Sequence, residues 1–516
     1  MAKNNYTYFI MAISGVVIPA LEIVGIRSLG PYYGISLYLG AVLVTITLAA
    51  LSTGYLIGGR WADKNPQMEI ISYSLIIVGI LIILIPLLRN PILYVIEPLG
   101  IQLTLFIGAS LLLFPSFMLI GAIELFVIKV VINNSPSIGK SIGGLLATLT
   151  LASIIGVLVT LFLLIPYLGI EKSAISLGLL LCAIGIIPLL FKKVLSMKLS
   201  ILILLIVSSV AGLTWHSTIN AETPDKLVFK MQSPDSEISI VDQDIQRMLI
   251  VNGNLQATIN KETLDSMHPH VVVMNTIQYC FRRPGKGLLI GLGAGSISKN
   301  FTAAGWRMDA VERDPGIVKV AQRYFDVQPG DCRMHVVNGR EFLMNTNDKY
   351  NLIVINDLGC SPFASQLITS EACDLISARL DSNGVLAINV LTNGWHSKIV
   401  RHMAATLGRH FTNVKALPLH EPPTILGNVI LLAANRELTF PEEWLGNPKD
   451  YVDIDPYEHW VALQQNHAWD NQFMPDTSEV AVIADDLNRS DIWLESINYQ
   501  AWDKLHAYFT EKGLSW

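Results

Sequence analysis

At 516 residues, with 51% hydrophobic and 15% charged side chains, the chain is too apolar for an average soluble protein and too charged for a pure membrane bundle. Charge separates two halves: eleven Lys/Arg against six Asp/Glu up to His216, then twenty-five against thirty-six. The acidic second half argues against nucleic acid as a partner, and five cysteines with none in a CxxC pair suggest neither a disulfide framework nor a zinc site.

The first half, residues 1–215, is predicted to be a transmembrane domain. A bilayer core needs roughly 20 apolar residues per helix. Seven such runs occur, at about 7–27, 36–58, 70–88, 102–131, 139–166, 173–191 and 199–215. The first is too long for a signal peptide and lacks a small-residue cleavage site. Small residues in "GKSIGGLLATLTLASIIG" (139–156) suit close helix packing, and Pro115 and Pro166 are expected at a kink and a helix end. Glu22 and Glu124 lie inside spans, where an ionisable group either pairs with a neighbour or serves a function. Loop charges place Lys3, Arg60, Lys64, Lys129, Lys140, Lys192, Lys193 and Lys198 on one side, against Arg27, Arg89 and Lys172 on the other. The positive-inside rule then puts the amino terminus in the cytoplasm of a multi-pass inner (plasma) membrane protein. Seven crossings would leave the remainder outside, whereas an adenosyl cofactor is made in the cytoplasm. Either one run does not cross, the short one at 199–215 first among them, or the charge rule fails, or the domain is extracytoplasmic; the soluble domain is provisionally placed in the cytoplasm, against the loop charges.

Residues 216–285 are expected to hold a β-hairpin subdomain and linker, because "SEISIVDQDIQRMLIVNGNLQATI" (236–259) alternates with period two around an Asn-Gly turn. From 286 to 436, apolar strand-like runs stand at 287–292, 307–312, 333–337, 350–356, 384–391, 413–418 and 426–434, most of them separated by helix-length segments. That rhythm predicts a parallel sheet covered on both faces. "HEPPTILGN" is too short for a crossover helix, so the last strand should be antiparallel. The fold class is thus a multi-span helical membrane domain followed by an α/β, Rossmann-type domain of the class I methyltransferase kind. A Trp- and Asp-rich extension, 437–516, is expected to cover the sheet or to dock against the membrane half.

The site residues follow from strand ends. In "GLLIGLGAGSISKNFTAAGWRMDAVERD" (287–314), Gly291, Gly293 and Gly295 let the backbone turn sharply and approach a ligand at a helix amino terminus. Glu312 ends the next strand, about 20 residues on, where a carboxylate can accept both hydrogen bonds of a ribose diol. Asn338 and Gly339 end the third strand and suit an adenine edge; Asp357 ends the fourth, where a carboxylate can accept a proton from an attacking amine or cap the next turn.

At this point the chain resembles the spermidine synthase-like aminopropyltransferases, specifically the membrane-fused bacterial group. The resemblance runs through "GGRWAD", "LIVNGNLQ", "LLIGLGAGS", "DAVERDPGIV", "VVNGREFL", "YNLIVINDLGCSP" and "VIADDLNR". It implies decarboxylated S-adenosylmethionine, or S-adenosylmethionine, as the nucleoside substrate, no metal, and an amine or other small nucleophile as acceptor. It also implies Asp357 as base, Glu312 on the ribose, Gln256 as a further nucleoside contact and Asn338-Gly339 on adenine. Departures from the family fall on both substrates: Ala294 stands where it has the Asp that holds the amine end of the nucleoside substrate, Cys360 where it has a second Asp after the base, Asn338 replaces the adenine-contacting Asp, and "NKETLDSMHPH" replaces the stretch that shapes the polyamine channel, which puts the putrescine site in particular in doubt. His268 and His270 are expected at a helix start or on the surface, and Cys360 as a spectator thiol. Partners expected are the lipid bilayer, a nucleoside and an amine, with self-association left open. The alternative reading is a transporter or sensor with a non-catalytic nucleoside- or polyamine-binding domain.

Overall fold

The structure is a computed structural model that describes residues 2–33, 37–64, 67–96, 101–133, 137–191, 226–233, 235–358, 364–439, 455–486, 488 and 490–511. The chain divides into two compact units, Met1–Glu222 and Thr223–Trp516.

In the first unit, six helices among the described residues are long and apolar enough to cross a membrane: Asn5–Gly30, Tyr38–Lys64, Met68–Ile96, Leu103–Ile132, Ile138–Leu168 and Ile170–Leu190. They coincide with six of the seven apolar runs; the run at 199–215 lies outside the described residues. With little hydrophobic drive between helices in lipid, close backbone approach has to hold them together. A side chain on Gly54 would fall 2.1 Å from the Met118 carbonyl oxygen, and one on Gly156 would fall 2.5 Å from that of Val16. Pro115 lies inside its helix. Around Pro166 the ladder widens into a π turn at Thr160–Leu164 before stopping at Gly169, as expected where a proline withholds its N–H. Glu124 is buried; its Oε2 accepts the Tyr55 hydroxyl at 3.0 Å, while its Oε1 is without a hydrogen-bond partner among the described residues.

The second unit holds two sheets. Strands β1 (Lys226–Gln232), β2 (Glu237–Gln243), β3 (Gln246–Val251) and β4 (Asn254–Asn260) form an antiparallel meander, so the hairpin expected around the Asn-Gly turn, β3–β4, carries two further strands before it. The larger sheet contains β5 (Lys286–Ile290), β6 (Arg307–Glu312), β7 (Arg333–Val336), β8 (Tyr350–Leu358), β9 (Leu380–Thr392), β10 (Asn413–Pro418) and β11 (Gly427–Ala434), in the order β10-β11-β9-β8-β5-β6-β7. β11 runs antiparallel to both its neighbours, and the other pairings are parallel. The strand order reverses direction between β5 and β8, which opens a crevice at their carboxyl ends.

Both faces are covered. One core joins Leu386, Ile388 and Val390 to Ile376, Met403, Leu494 and Ile497; the other joins Leu289, Val354 and Ile430 to Val273, Phe301, Ala468 and Trp469. The helices Pro456–Asp470 and Ser490–Glu511 of the extension therefore lie on opposite faces of the sheet. Helix Pro269–Thr276, within the stretch expected as hairpin and linker, also buries its valines against the large sheet.

Candidate nucleoside site

Polar groups divide between the two ends of the large sheet. At the amino end, charges satisfy one another: Asp309 is 4% exposed, accepts the Tyr350 hydroxyl at 2.8 Å and pairs with Lys286 at 3.2 Å. The carboxyl end has spare capacity. After β5 the chain passes through Gly291, Gly293 and Gly295, with φ of 91°, 55° and 77°, into the helix Ser296–Ala303. Left-handed backbone at these positions favours glycine. A side chain on Gly295 would fall 2.3 Å from Val327, whereas one on Gly293 would meet nothing within 4 Å. Gly295 thus serves packing, and Gly293 leaves open space in front of the turn.

Glu312, at the end of β6, is buried. Its Oε2 accepts the Leu292 backbone N–H at 3.0 Å and its Oε1 accepts that of Asp314 at 2.9 Å. The sequence reading left this carboxylate free for a ribose; here it also ties the glycine turn to the second strand. Two carboxylate oxygens offer about four acceptor positions, and with the Arg313 N–H also acting on the group about one of them stays open. Burial, and then the nearby Asp314 charge, push the carboxyl up to about 7, against the lowering effect of the backbone N–H groups.

Gln256 projects from β4 with its Nε2 buried and without a hydrogen-bond partner. A buried donor left unpaired costs about 1–3 kcal/mol, so a water or a ligand acceptor would stabilise this atom. Asn338 caps the helix Gly339–Asn345, with its Oδ1 accepting the N–H groups of Arg340 at 2.9 Å and Glu341 at 3.4 Å. Its oxygen is therefore committed and its amide N–H₂ is the part suited to a ligand. Gly339 lets that helix start against β5, since a side chain there would lie 2.5 Å from Ile290. From the extension, Asp485 in "VIADDLNR" pairs with Arg340 at 2.6 Å. Asp357 lies one residue from the end of β8, across the crevice from the glycine turn in strand order. Cys360 falls outside the described residues.

His268 and His270 begin the helix Pro269–Thr276, as expected, but His270 is 6% exposed and the surface alternative is corrected. Burial lowers them to about 4 and about 3, so both rings are neutral near pH 7. Among the described residues no group of three or more His, Cys, Asp or Glu could hold a metal.

Two features escaped the sequence reading. An amide chain crosses the sheet near its carboxyl edge: Asn428 donates to Asn389 at 2.9 Å, and Asn389 donates to Asn356, the neighbour of Asp357, at 3.0 Å. The signal was an Asn inside the carboxyl-terminal part of β8 and of β9 and at the start of the antiparallel β11. Asp314 caps the helix Pro315–Tyr324, which "RDPG" announces as a capping Asp followed by Pro at the first helical position.

The sheet order, the glycine turn and the acidic second strand end define a class I methyltransferase-like unit behind a helical, apolar one. No family model matches the chain. A polyamine aminopropyltransferase of Vibrio vulnificus (strain CMCP6) is 27% identical over 201 residues, covering 37% of this chain and 66% of that protein. A second, from Oceanobacillus iheyensis (strain DSM 14371 / CIP 107618 / JCM 11309 / KCTC 3954 / HTE831), is 23% identical over 351 residues, covering 62% of this chain and 66% of that protein. Among solved structures, a probable spermidine synthase from Corynebacterium glutamicum ATCC 13032 aligns at 15% identity over 50% of this chain and 99% of its own, with a TM-score of 0.38. The chain spans just under two thirds of the length of these two curated relatives. By these relatives the chain is similar to polyamine aminopropyltransferases.

Proposed function

We propose that the protein is a membrane-anchored transferase that binds decarboxylated S-adenosylmethionine, or S-adenosylmethionine, in the crevice and alkylates an amine or another small nucleophile. The observation that carries this reading is the pairing of a buried Glu312 with open space over Gly293, between the two strands where a ribose would lie. Gln256 supplies a donor, and the Asn338 amide suits a ring nitrogen of adenine. In the aminopropyl case the acceptor nitrogen attacks the propyl carbon on the sulfonium. The C–N bond forms, the C–S bond breaks with its electrons on sulfur, and neutral methylthioadenosine leaves. Asp357 takes the proton from nitrogen.

Orientation follows from the loops. Arg60, Lys64, Lys129 and Lys140 share one side, and Lys129 pairs with Asp63 at 2.6 Å; on the other side Arg89 is paired with Glu171 at 3.1 Å. This asymmetry supports a cytoplasmic amino terminus; with the run at 199–215 outside the described residues, a cytoplasmic α/β unit requires in addition that this run does not cross. Calorimetric titration of the detergent-purified protein with S-adenosylmethionine, its decarboxylated form and methylthioadenosine tests the reading. One of the three is expected to bind the wild type and to lose at least about tenfold in affinity with Glu312→Ala. Absence of binding by all three would overturn it.

A further inference from the structure

We propose that Asp314 is a positioning residue for the nucleoside site, locking the small sheet that carries Gln256 onto the strand end that carries Glu312. The inference rests on the nucleoside reading above. Asp314 is 4% exposed, and its carboxylate is used on both oxygens. Oδ1 accepts the Gly316 N–H at 2.7 Å and the Ser233 hydroxyl, while Oδ2 accepts the Ser236 hydroxyl. Its own N–H donates to Glu312 at 2.9 Å.

A helix cap needs one acceptor contact. The second oxygen and both serines exceed that requirement, and they come from the other sheet. Ser233 and Ser236, 2% and 4% exposed, flank the β1–β2 turn, which Ser233 N–H closes on the Ser236 carbonyl at 2.7 Å. Beside them Arg313 reaches Asp235 at 3.0 Å. At the far end of the same helix, Arg247 of β3, gripped by Asp242 at 2.7 and 2.8 Å, donates to the Tyr324 carbonyl at 3.0 Å. Between these fastenings Ile238, Ile240 and Leu249 pack with Ala294 of the glycine turn, Val320 and Phe325. The small sheet therefore seats on the turn and the ribose strand together, and Asp314 is the group through which that seating reaches Glu312. Groups acting on the Glu312 carboxylate are the Asp314 carboxylate and the backbone N–H groups of Leu292, Arg313 and Asp314.

The test is titration of the full detergent-solubilised protein with methylthioadenosine, which carries no titrating amine, from pH 6 to 9. Ser233→Ala/Ser236→Ala keeps the cap and the charge but removes the clasp; it is expected to weaken binding roughly tenfold at every pH, with the midpoint of the pH profile unchanged. Asp314→Asn removes the neighbouring negative charge and is expected to move that midpoint to lower pH. A residue that only capped its helix would leave the serine pair silent. Serine-pair affinity within about twofold of wild type, with binding still abolished by Glu312→Ala, would overturn the proposal alone. No binding of methylthioadenosine by the wild type at any pH would overturn it, and the nucleoside reading falls with it if S-adenosylmethionine and its decarboxylated form fail to bind as well. Should Asp314→Asn fail to fold, the serine pair decides the matter.

Discussion

Gly293 and Gly295 share left-handed backbone, yet a methyl group on each would meet different surroundings. Gly295→Ala drives a side chain into Val327 and should cost roughly 2–4 kcal/mol of stability from overpacking and strain. Gly293→Ala should cost about 1 kcal/mol, since only backbone strain opposes it, while filling the space proposed for the nucleoside. Denaturant melts and titrations of both variants check the contrast: Gly293→Ala loses binding beyond its loss of stability. Glu312 sets the pH response. Its carboxyl, raised to about 7, is ionised above that pH and accepts a hydroxyl hydrogen, so nucleoside affinity should fall as pH drops through 7. Stability moves the other way. The folded unit keeps a proton that the unfolded chain has released, so this group's contribution to stability is present below the ordinary glutamate range and declines as pH rises past about 7. Opposite slopes for affinity and stability between pH 5 and 8 are the expected outcome, measured by calorimetry and urea titration.

Among elements, the strands of the large sheet were legible because each is a short apolar run bounded by turn signals, and the antiparallel β11 followed from a connection too short to cross over. The span helices were legible from length alone. What escaped was long-range pairing. β1 gave no Asn-Gly turn to mark it, and the Asn356–Asn389–Asn428 chain links residues far apart in sequence that only the sheet order brings together. At the site, glycine spacing and an acidic strand end pointed to Gly293 and Glu312, but not to the commitments of Glu312 to Leu292 and Asp314 or of Asn338 to its helix cap. Those partners are backbone N–H groups, which carry no residue signature. The amide chain yields its own prediction. Asn389→Leu leaves Asn356 and Asn428 each short of a partner and should destabilise the unit by about 1–3 kcal/mol, with a larger loss of turnover than of nucleoside affinity because Asn356 adjoins Asp357. Equal losses in both would contradict that role.

Over the whole molecule, the residues proposed to handle the nucleoside, from Gln256 to Asp357, fall in the unit Thr223–Trp516. A fragment of that unit should fold without detergent and bind methylthioadenosine within about threefold of the full chain; loss of binding in a folded fragment would show that the helical unit completes the site. The departures from the family, Ala294, Cys360 and Asn338 among them, leave the transferred group as the sharpest question, and Asp357 answers it most directly. The decisive measurement is methylthioadenosine release from decarboxylated S-adenosylmethionine by the detergent-purified full chain in the presence of candidate amines, for the wild type and Asp357→Asn. The account predicts amine-dependent release that falls by about 100-fold or more in the variant while nucleoside binding persists. Equal release by both proteins would contradict the role of Asp357, and none by the wild type with any amine would contradict aminopropyl transfer.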